Sequence, residues 1–145
     1  MTDLSKRHIP LRLFGAFAAT FLMGSIALAQ EGDAGVGEKV FKKCAACHNI
    51  GEGAKSKVGP ALTGVIGRTA GTFEGFKYGK SIIAAGEAGL VWNEEEIFDY
   101  LANPKDFLRT KLDDKKAKSR MAFKLKKAED RQNVIAYLKT FSPAE

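Results

Sequence analysis

Cys44-Ala45-Ala46-Cys47-His48 is the stretch of sequence that decides the fold. Two thiols three positions apart near the end of a helix can each bond one vinyl side arm of the same porphyrin. The histidine that follows then lies beneath the iron as an axial ligand. The motif therefore predicts one covalently attached haem c, held by Cys44 and Cys47, with His48 as the first axial ligand.

Three other uses of two nearby cysteines fit the sequence less well. A Cys-x-x-Cys redox pair is expected between a strand and a helix, a context that is absent around this motif. A zinc site needs further cysteine or imidazole ligands, and beyond residue 29 the chain has no other Cys or His. A local disulfide is possible in an oxidising compartment, but it leaves His48 without a role.

The first 29 residues have the pattern of a cleaved signal peptide. A positively charged segment precedes an apolar run over residues 13–29, and Ala27-Leu28-Ala29 supplies the small residues that a signal peptidase recognises. We expect cleavage after Ala29, which leaves residues 30–145 as one small domain in the periplasm. The alternative is an uncleaved membrane anchor, because the apolar run is nearly long enough to span a bilayer.

The charge balance limits the choice of partners. The whole chain has a formal net charge of +6, and loss of the N-terminal segment, which is itself cationic, leaves a modestly basic protein. Export excludes intracellular nucleic acid as the natural partner. An acidic protein surface or an anionic membrane face is expected instead.

Met121 is the candidate for the sixth iron position, because no other methionine remains beyond residue 29. It follows Lys118-Ser119-Arg120 in a basic loop, which favours a ligand over a core methionine that fills a gap. Thioether ligation raises the reduction potential and closes the iron to substrate. We therefore predict an electron carrier with His48 and Met121 as axial ligands, and not an enzyme. The alternative is a haem enzyme or gas sensor with an open sixth position.

The spacing of apolar residues and helix caps predicts an all-α fold of short helices and loops wrapped around the haem. The first helix is expected from about Ala34 to Cys47, and a short one from Ser81 to Glu87. Asn93 should cap a third helix. Asn103-Pro104 should end that helix and start a fourth, because proline suits the first helical turn.

Two long stretches carry no sustained period and are expected to be loops: the glycine-rich residues 49–79 and the charged residues 113–127. The last segment has the clearest helical period, with an apolar stripe opposite a polar side. The stripe consists of Val134, Tyr137, Leu138 and Phe141, and the polar side of Arg131, Gln132 and Lys139.

Several further motifs follow the cysteines in a recognisable order. They are Gly59-Pro60-Ala61-Leu62, Gly67-Arg68-Thr69-Ala70-Gly71, Gly75-Phe76-Lys77-Tyr78, Trp92, Tyr100-Leu101-Ala102-Asn103-Pro104, Met121-Ala122-Phe123 and Ile135-Ala136-Tyr137-Leu138-Lys139. With them the chain resembles class I cytochrome c, and most of all the long-loop bacterial cytochromes c2. The resemblance implies that the first and last helices cross, where Gly37 and Phe41 would meet Val134 and Tyr137.

The resemblance also implies roles for residues around the haem. The carbonyl of Pro60 would accept a hydrogen bond from the second ring nitrogen of His48. Three side chains would donate to the haem propionates, which need partners when buried: Arg68, Tyr78 and Trp92.

Tyr100 would direct its hydroxyl toward the Met121 sulfur, and Phe123 would cover the exposed side of the haem.

The chain also departs from the family pattern. Residues 111–118 form an extra charged stretch where many relatives have a short turn, and this makes the geometry before Met121 hard to predict. Two positions where many relatives carry asparagine differ here: Ala61 and Ile82.

Basic residues lie near the predicted haem-covering loops, whereas carboxylates cluster in the middle helices. We predict that these cations form a docking ring around the exposed haem edge, so that association with acidic partners weakens with salt. The resemblance implies a monomer, peripheral to the membrane, that takes electrons from the cytochrome bc1 complex and passes them to cytochrome oxidase or a photosynthetic reaction centre. The predicted ring consists of Lys42, Lys43, Lys57, Lys105, Lys118, Arg120, Lys124 and Lys126.

Overall fold

The computed structural model describes residues 31–142, and within that range the chain forms five helices and no strand. The all-α prediction is confirmed. The predicted signal peptide and its cleavage site lie outside the described residues. No helix in the described range is both long and apolar enough to cross a membrane. The helices are Ala34–Phe41 (α1), Lys80–Glu87 (α2), Glu94–Ala102 (α3), Pro104–Lys111 (α4) and Ala128–Lys139 (α5).

Side-chain caps set the start of three helices. Asp33, Asn93 and Asn103 each accept a backbone N–H from the first turn of the helix that follows. Asn103 also ends α3, because its backbone is extended (φ −161°, ψ 92°), and Pro104 then starts α4. The expected short helix before α3 is present as α2.

α1 is shorter than predicted, because it ends at Phe41 and not near Cys47. Beyond Phe41 the chain continues in turns. The carbonyls of Ala45 and Cys47 accept from Lys57 Nζ and Gly59 N, at 2.8 Å each. The glycine-rich loop thus supplies donors to carbonyls of the haem motif, a long-range contact that helical periodicity does not reveal.

The first and last helices cross at close range, as the resemblance implied. A Cβ added to Gly37 would lie 1.9 Å from the carbonyl oxygen of Asn133, so only glycine fits there. The rings of Phe41 and Tyr137 pack with centroids 5.4 Å apart. Asn133, which the sequence did not single out, accepts from Asp33 N through Oδ1 at 2.8 Å and joins the start of α1 to the middle of α5.

Arg131 corrects the expected polar side of α5. The prediction that it lies opposite the apolar stripe is wrong, because the residue is only 9% exposed. Its guanidinium Nη1 donates to the carbonyls of Leu125 and Lys126 at 2.8 Å each, and its Cζ lies 4.2 Å from the ring centroid of Phe98. A long cationic side chain can bury its stem and bring its donors to loop carbonyls, so helical spacing alone misassigned it.

The charged stretch before α5 is loop, as predicted, but it is anchored at several points. We call residues 112–127 the methionine loop. Ala117 is 2% exposed, and its carbonyl accepts from Arg109 Nε at 3.4 Å. Further along, Leu125 is buried and its N–H donates to Leu101 O at 2.8 Å. These contacts bring Met121 back over the helices of the core.

A short pairing of two loops completes the frame of the site. Residues Thr69 and Val91 form an isolated antiparallel bridge, in which Trp92 N donates to Arg68 O at 2.9 Å. An added Cβ at Gly86 would lie 2.0 Å from Ala70 O, so α2 packs directly on this bridge. The bridge fixes Arg68 and Trp92 beside each other at the edge of the core.

Candidate haem-binding site

A cavity of about 870 Å³ lies between α1, the glycine-rich loop and the methionine loop. Its walls are mainly apolar and include side chains from α1, α2, α3, α4 and α5. All ten residues that were predicted to hold the haem line this one cavity, although they span almost eighty positions of the sequence. They are Cys44, Cys47, His48, Pro60, Arg68, Tyr78, Trp92, Tyr100, Met121 and Phe123.

His48 is oriented by its neighbours. Its Nδ1 lies 2.8 Å from Pro60 O, and a carbonyl can only accept, so Nδ1 carries the proton and Nε2 keeps the lone pair that binds a metal. A Cβ at Gly59 would lie 2.3 Å from His48 Cε1, so the backbone there fits closely against the ring. Burial lowers the pKa of His48, opposed by the Pro60 hydrogen bond, and keeps the imidazole neutral.

The two cysteines are free thiols and do not form a disulfide. Burial raises the pKa of Cys44 to about 11, against an opposing effect of Lys43. A redox-active pair needs a cysteine whose pKa is lowered, so this environment disfavours that alternative. Nor do the described residues hold any group of three His, Cys, Asp or Glu side chains that could bind a separate metal ion. Apolar walls, two thiols and a neutral imidazole fit a covalently attached haem.

On the opposite wall, Met121 is held by the serine two residues before it. Ser119 Oγ accepts from Met121 N at 3.1 Å and donates to Met121 O at 2.9 Å. The Tyr100 hydroxyl lies 3.4 Å from the same Oγ, and burial raises the pKa of this phenol. Tyr100 thus reaches the methionine loop through Ser119, and its expected contact with the Met121 sulfur stays a prediction.

Ser119 is the residue that sequence reasoning missed. It was noted only as a polar neighbour of Met121, although serine commonly forms local turns with backbone groups two residues away. This turn-forming tendency of serine is the sequence signal that could have pointed to the contact between Ser119 and Met121.

The three predicted propionate donors all line the cavity. Arg68 donates to Ala61 O and Thr63 O at 3.2 Å each, and two such bonds leave other guanidinium N–H groups for a ligand. Burial lowers the pKa of Arg68 and raises the pKa of Tyr78. Trp92 is buried and packs edge-on against Tyr100, with centroids 5.0 Å apart.

Comparison with known proteins adds to this geometry. Residues 35–142 match the family model described as cytochrome c. The chain belongs to the cytochrome c family. It is 52% identical over 120 residues to cytochrome c2 iso-2 of Rhodospirillum centenum, which covers 79% of the chain and 99% of that protein. It is 48% identical over 134 residues to cytochrome c2 of Rhodobacter capsulatus, and this match covers 88% of the chain and 95% of that protein.

Solved structures of cytochromes c2 have the same fold as this chain. The structure of cytochrome c2 from Rhodospirillum centenum superposes with a TM-score of 0.75 at 52% identity, covering 77% of this chain and 100% of that one. The structure of cytochrome c2 from Paracoccus denitrificans superposes with a TM-score of 0.72 at 41% identity, and the match covers 78% of this chain and 98% of that one. As a cytochrome c, the chain is an electron carrier and not an enzyme, and its expected cofactor is one covalent haem c.

Of the eight predicted docking cations of this cytochrome, three make internal contacts. Lys43 forms an ion pair with Asp130 at 2.8 Å. Lys57 donates to a carbonyl of the haem motif, and Arg120 Nη1 donates to Lys77 O at 2.7 Å. Five others are exposed and have no side-chain partner among the described residues: Lys42, Lys105, Lys118, Lys124 and Lys126.

Two apolar side chains lie at the rim of the same cavity. Val58 is 79% exposed and Phe123 is 40% exposed, and both line the cavity. Exposed apolar residues surrounded by lysines are typical of a docking surface.

Proposed function

We propose that this cytochrome is a monomer that is exported to the periplasm and loses residues 1–29. It takes single electrons from a cytochrome bc1 complex and passes them to cytochrome oxidase or a photosynthetic reaction centre, as a soluble protein peripheral to the membrane. The observation that carries the proposal is the cavity, which Cys44, Cys47, His48 and Met121 all line. The similarity to cytochromes c2 supports the same proposal.

Each site residue has a part in this function. The bound haem supplies an iron that takes up and releases one electron. Cys44 and Cys47 would anchor it, and His48, oriented by Pro60, would bind the iron through Nε2. Met121 would supply a thioether as the second ligand, which would leave no open position for a substrate. Apolar walls keep water away.

The propionates of the haem are proposed to bind Arg68, Tyr78 and Trp92, which all line the cavity. Phe123 is proposed to cover the exposed edge. Because Arg68 already donates to two carbonyls, its guanidinium is held in position before a ligand binds.

A spectroscopic experiment tests the closed iron. The oxidised protein should show the far-red absorption band of a thioether–iron bond, and Met121→Ala should abolish it. Rapid carbon monoxide binding by the reduced protein at neutral pH would contradict the proposal and favour a haem enzyme or gas sensor.

N-terminal sequencing tests the proposed cleavage of the signal peptide. The sequence of the purified protein should start at Gln30, and a longer chain would favour the membrane-anchored alternative.

We define the docking ring as the five exposed lysines Lys42, Lys105, Lys118, Lys124 and Lys126. Lys57 and Arg120 add positive charge to it but are held by internal contacts, and the charge of Lys43 is offset by Asp130. Charges at the rim of an interface chiefly change the association rate and its dependence on salt.

The docking experiment measures the rate at which the ferrous protein reduces purified reaction centre or oxidase at several ionic strengths. The second-order rate should fall steeply with salt, and Lys124→Ala should lower it about two- to fivefold at low salt. Lys115→Ala is the matched control, because it removes one exposed cation outside the ring. Rates that are indifferent to salt would contradict the docking ring and leave the haem assignment intact.

A further inference from the structure

Two hydrogen bonds near Met121 join the methionine loop to the chain around the start of α2. Lys118 N donates to Ser81 Oγ at 3.0 Å, and Arg120 Nη1 donates to Lys77 O at 2.7 Å. Both donors lie within three residues of Met121. Their acceptors belong to the segment that carries Tyr78, so the bonds tie together two segments that both line the cavity.

The stem of Arg120 lies directly over Gly79. A Cβ added at Gly79 would be 3.2 Å from both Cγ and Cδ of Arg120. The backbone of Gly79 (φ −77°, ψ 155°) is one that any residue adopts, so the backbone conformation does not call for glycine. The close approach of the arginine stem is the contact that a larger side chain would disturb.

We propose that Arg120 is a positioning residue that clamps the methionine loop onto residues 77–79 and so limits the withdrawal of Met121 from the iron. The proposal rests on the His48 and Met121 ligation proposed above. Met121 itself is only partly buried, and its apolar neighbours Ala122 and Phe123 are exposed, so burial does little to hold this part of the loop in place. A hydrogen bond from a charged donor is among the stronger single contacts that can hold such a loop.

This role separates Arg120 from the lysines of the docking ring. Its guanidinium is committed to a carbonyl of the same chain, whereas the docking lysines have no side-chain partner in the described part of the chain. Removing Arg120 should therefore act on the iron ligand even in the absence of any redox partner.

The test measures how readily imidazole displaces the sixth ligand in the oxidised, haem-loaded protein, followed by loss of the far-red band. Loss of one charge-assisted hydrogen bond should raise the apparent imidazole affinity of Arg120→Ala about three- to tenfold, because the open loop becomes more populated. Arg120→Lys, which can still reach toward the carbonyl with a cationic donor, should recover part of the effect. Lys115→Ala removes a cation from the same loop without touching the clamp and should match the wild type.

Gly79→Ala tests the clamp from the other side. Its methyl group should displace the arginine stem and raise the imidazole affinity to a value between the wild type and Arg120→Ala. In an Arg120→Ala background the same change should add little, because the stem is already gone. This variant also carries the test if Arg120→Ala fails to fold.

The outcomes are distinguishable. Imidazole affinities of Arg120→Ala and Gly79→Ala that equal that of Lys115→Ala would overturn the clamp. A wild-type protein without the far-red band, or a Met121→Ala variant that keeps it, would instead overturn the proposed ligation.

Discussion

The crossing of α1 and α5 and the methionine loop form two sides of the same cavity, but they are held by different interactions. At the crossing, Gly37 brings two helix backbones into contact, and Phe41 and Tyr137 pack beside them. The methionine loop has few buried side chains, and most of its attachments are single hydrogen bonds, such as those of Ser119 and Arg120.

The difference indicates that the helix crossing and the methionine loop have different roles in this cytochrome. Close helix packing supplies stability, since tightly packed interiors tolerate little change in volume. A loop held by separate hydrogen bonds can be adjusted residue by residue, because each bond contributes only about 1 kcal/mol. We therefore expect substitutions at the crossing to change the free energy of unfolding most, and substitutions in the loop to change the iron ligand first.

The largest effect is expected for Gly37→Ala. Its new Cβ would meet Asn133 O at 1.9 Å, and both backbones would have to separate. We expect a loss of about 3 kcal/mol or more in the free energy of unfolding of the haem-loaded protein, measured with denaturant. Gly35→Ala on the same helix is the control, because its Cβ would meet only Oδ1 of the capping Asp33, at 3.2 Å, and no backbone of α5, so we expect a much smaller loss. Equal stabilities for the two variants would show that the crossing tolerates expansion.

An intermediate effect is expected for Arg131→Met, which keeps the apolar stem but leaves the carbonyls of Leu125 and Lys126 without their donor. We expect a loss of about 2 kcal/mol in the free energy of unfolding, together with earlier loss of the far-red band on heating. Arg131→Lys should lie between this variant and the wild type. A band that is lost together with the global unfolding signal in Arg131→Met would mean that Arg131 stabilises the whole core and not the loop.

The smallest effect is expected for the ion pair of Lys43 and Asp130 at the edge of the crossing. The hydrogen bond from Lys43 lowers the pKa of Asp130 below its ordinary value. Its stabilisation is therefore complete above the ordinary aspartate pKa of about 4 and is lost as the pH falls through the lower, folded-state pKa.

Thermal unfolding midpoints of Asp130→Asn and the wild type should consequently differ by a small, constant amount above about pH 5 and converge in acid. Lys43→Met should give the same pattern. A difference that grows as the pH falls would assign the effect to another carboxylate.

Much of this fold follows from local chemistry. The caps Asp33, Asn93 and Asn103 fixed three helix starts, because a side-chain oxygen satisfies nearby N–H groups whatever the rest of the chain does. The end of α1 was predicted wrongly, because the N–H groups of Lys43 and Cys44 bond three residues back and not four, a change that apolar spacing does not reveal. The burial of Arg131 was predicted wrongly, because it depends on Phe98 of α3 and on the carbonyls that precede α5.

The sequence by itself determined the chemistry of the site. The Cys-x-x-Cys-His motif indicates a covalent haem, and Met121 is the only thioether beyond residue 29, since both conclusions depend on residue type and spacing alone. Only the tertiary structure decided how the methionine loop is held in place. Arg120 donates to Lys77 O, Lys118 N donates to Ser81 Oγ, and Tyr100 lies beside Ser119 Oγ. No local pattern specifies contacts that form only after distant segments have come together.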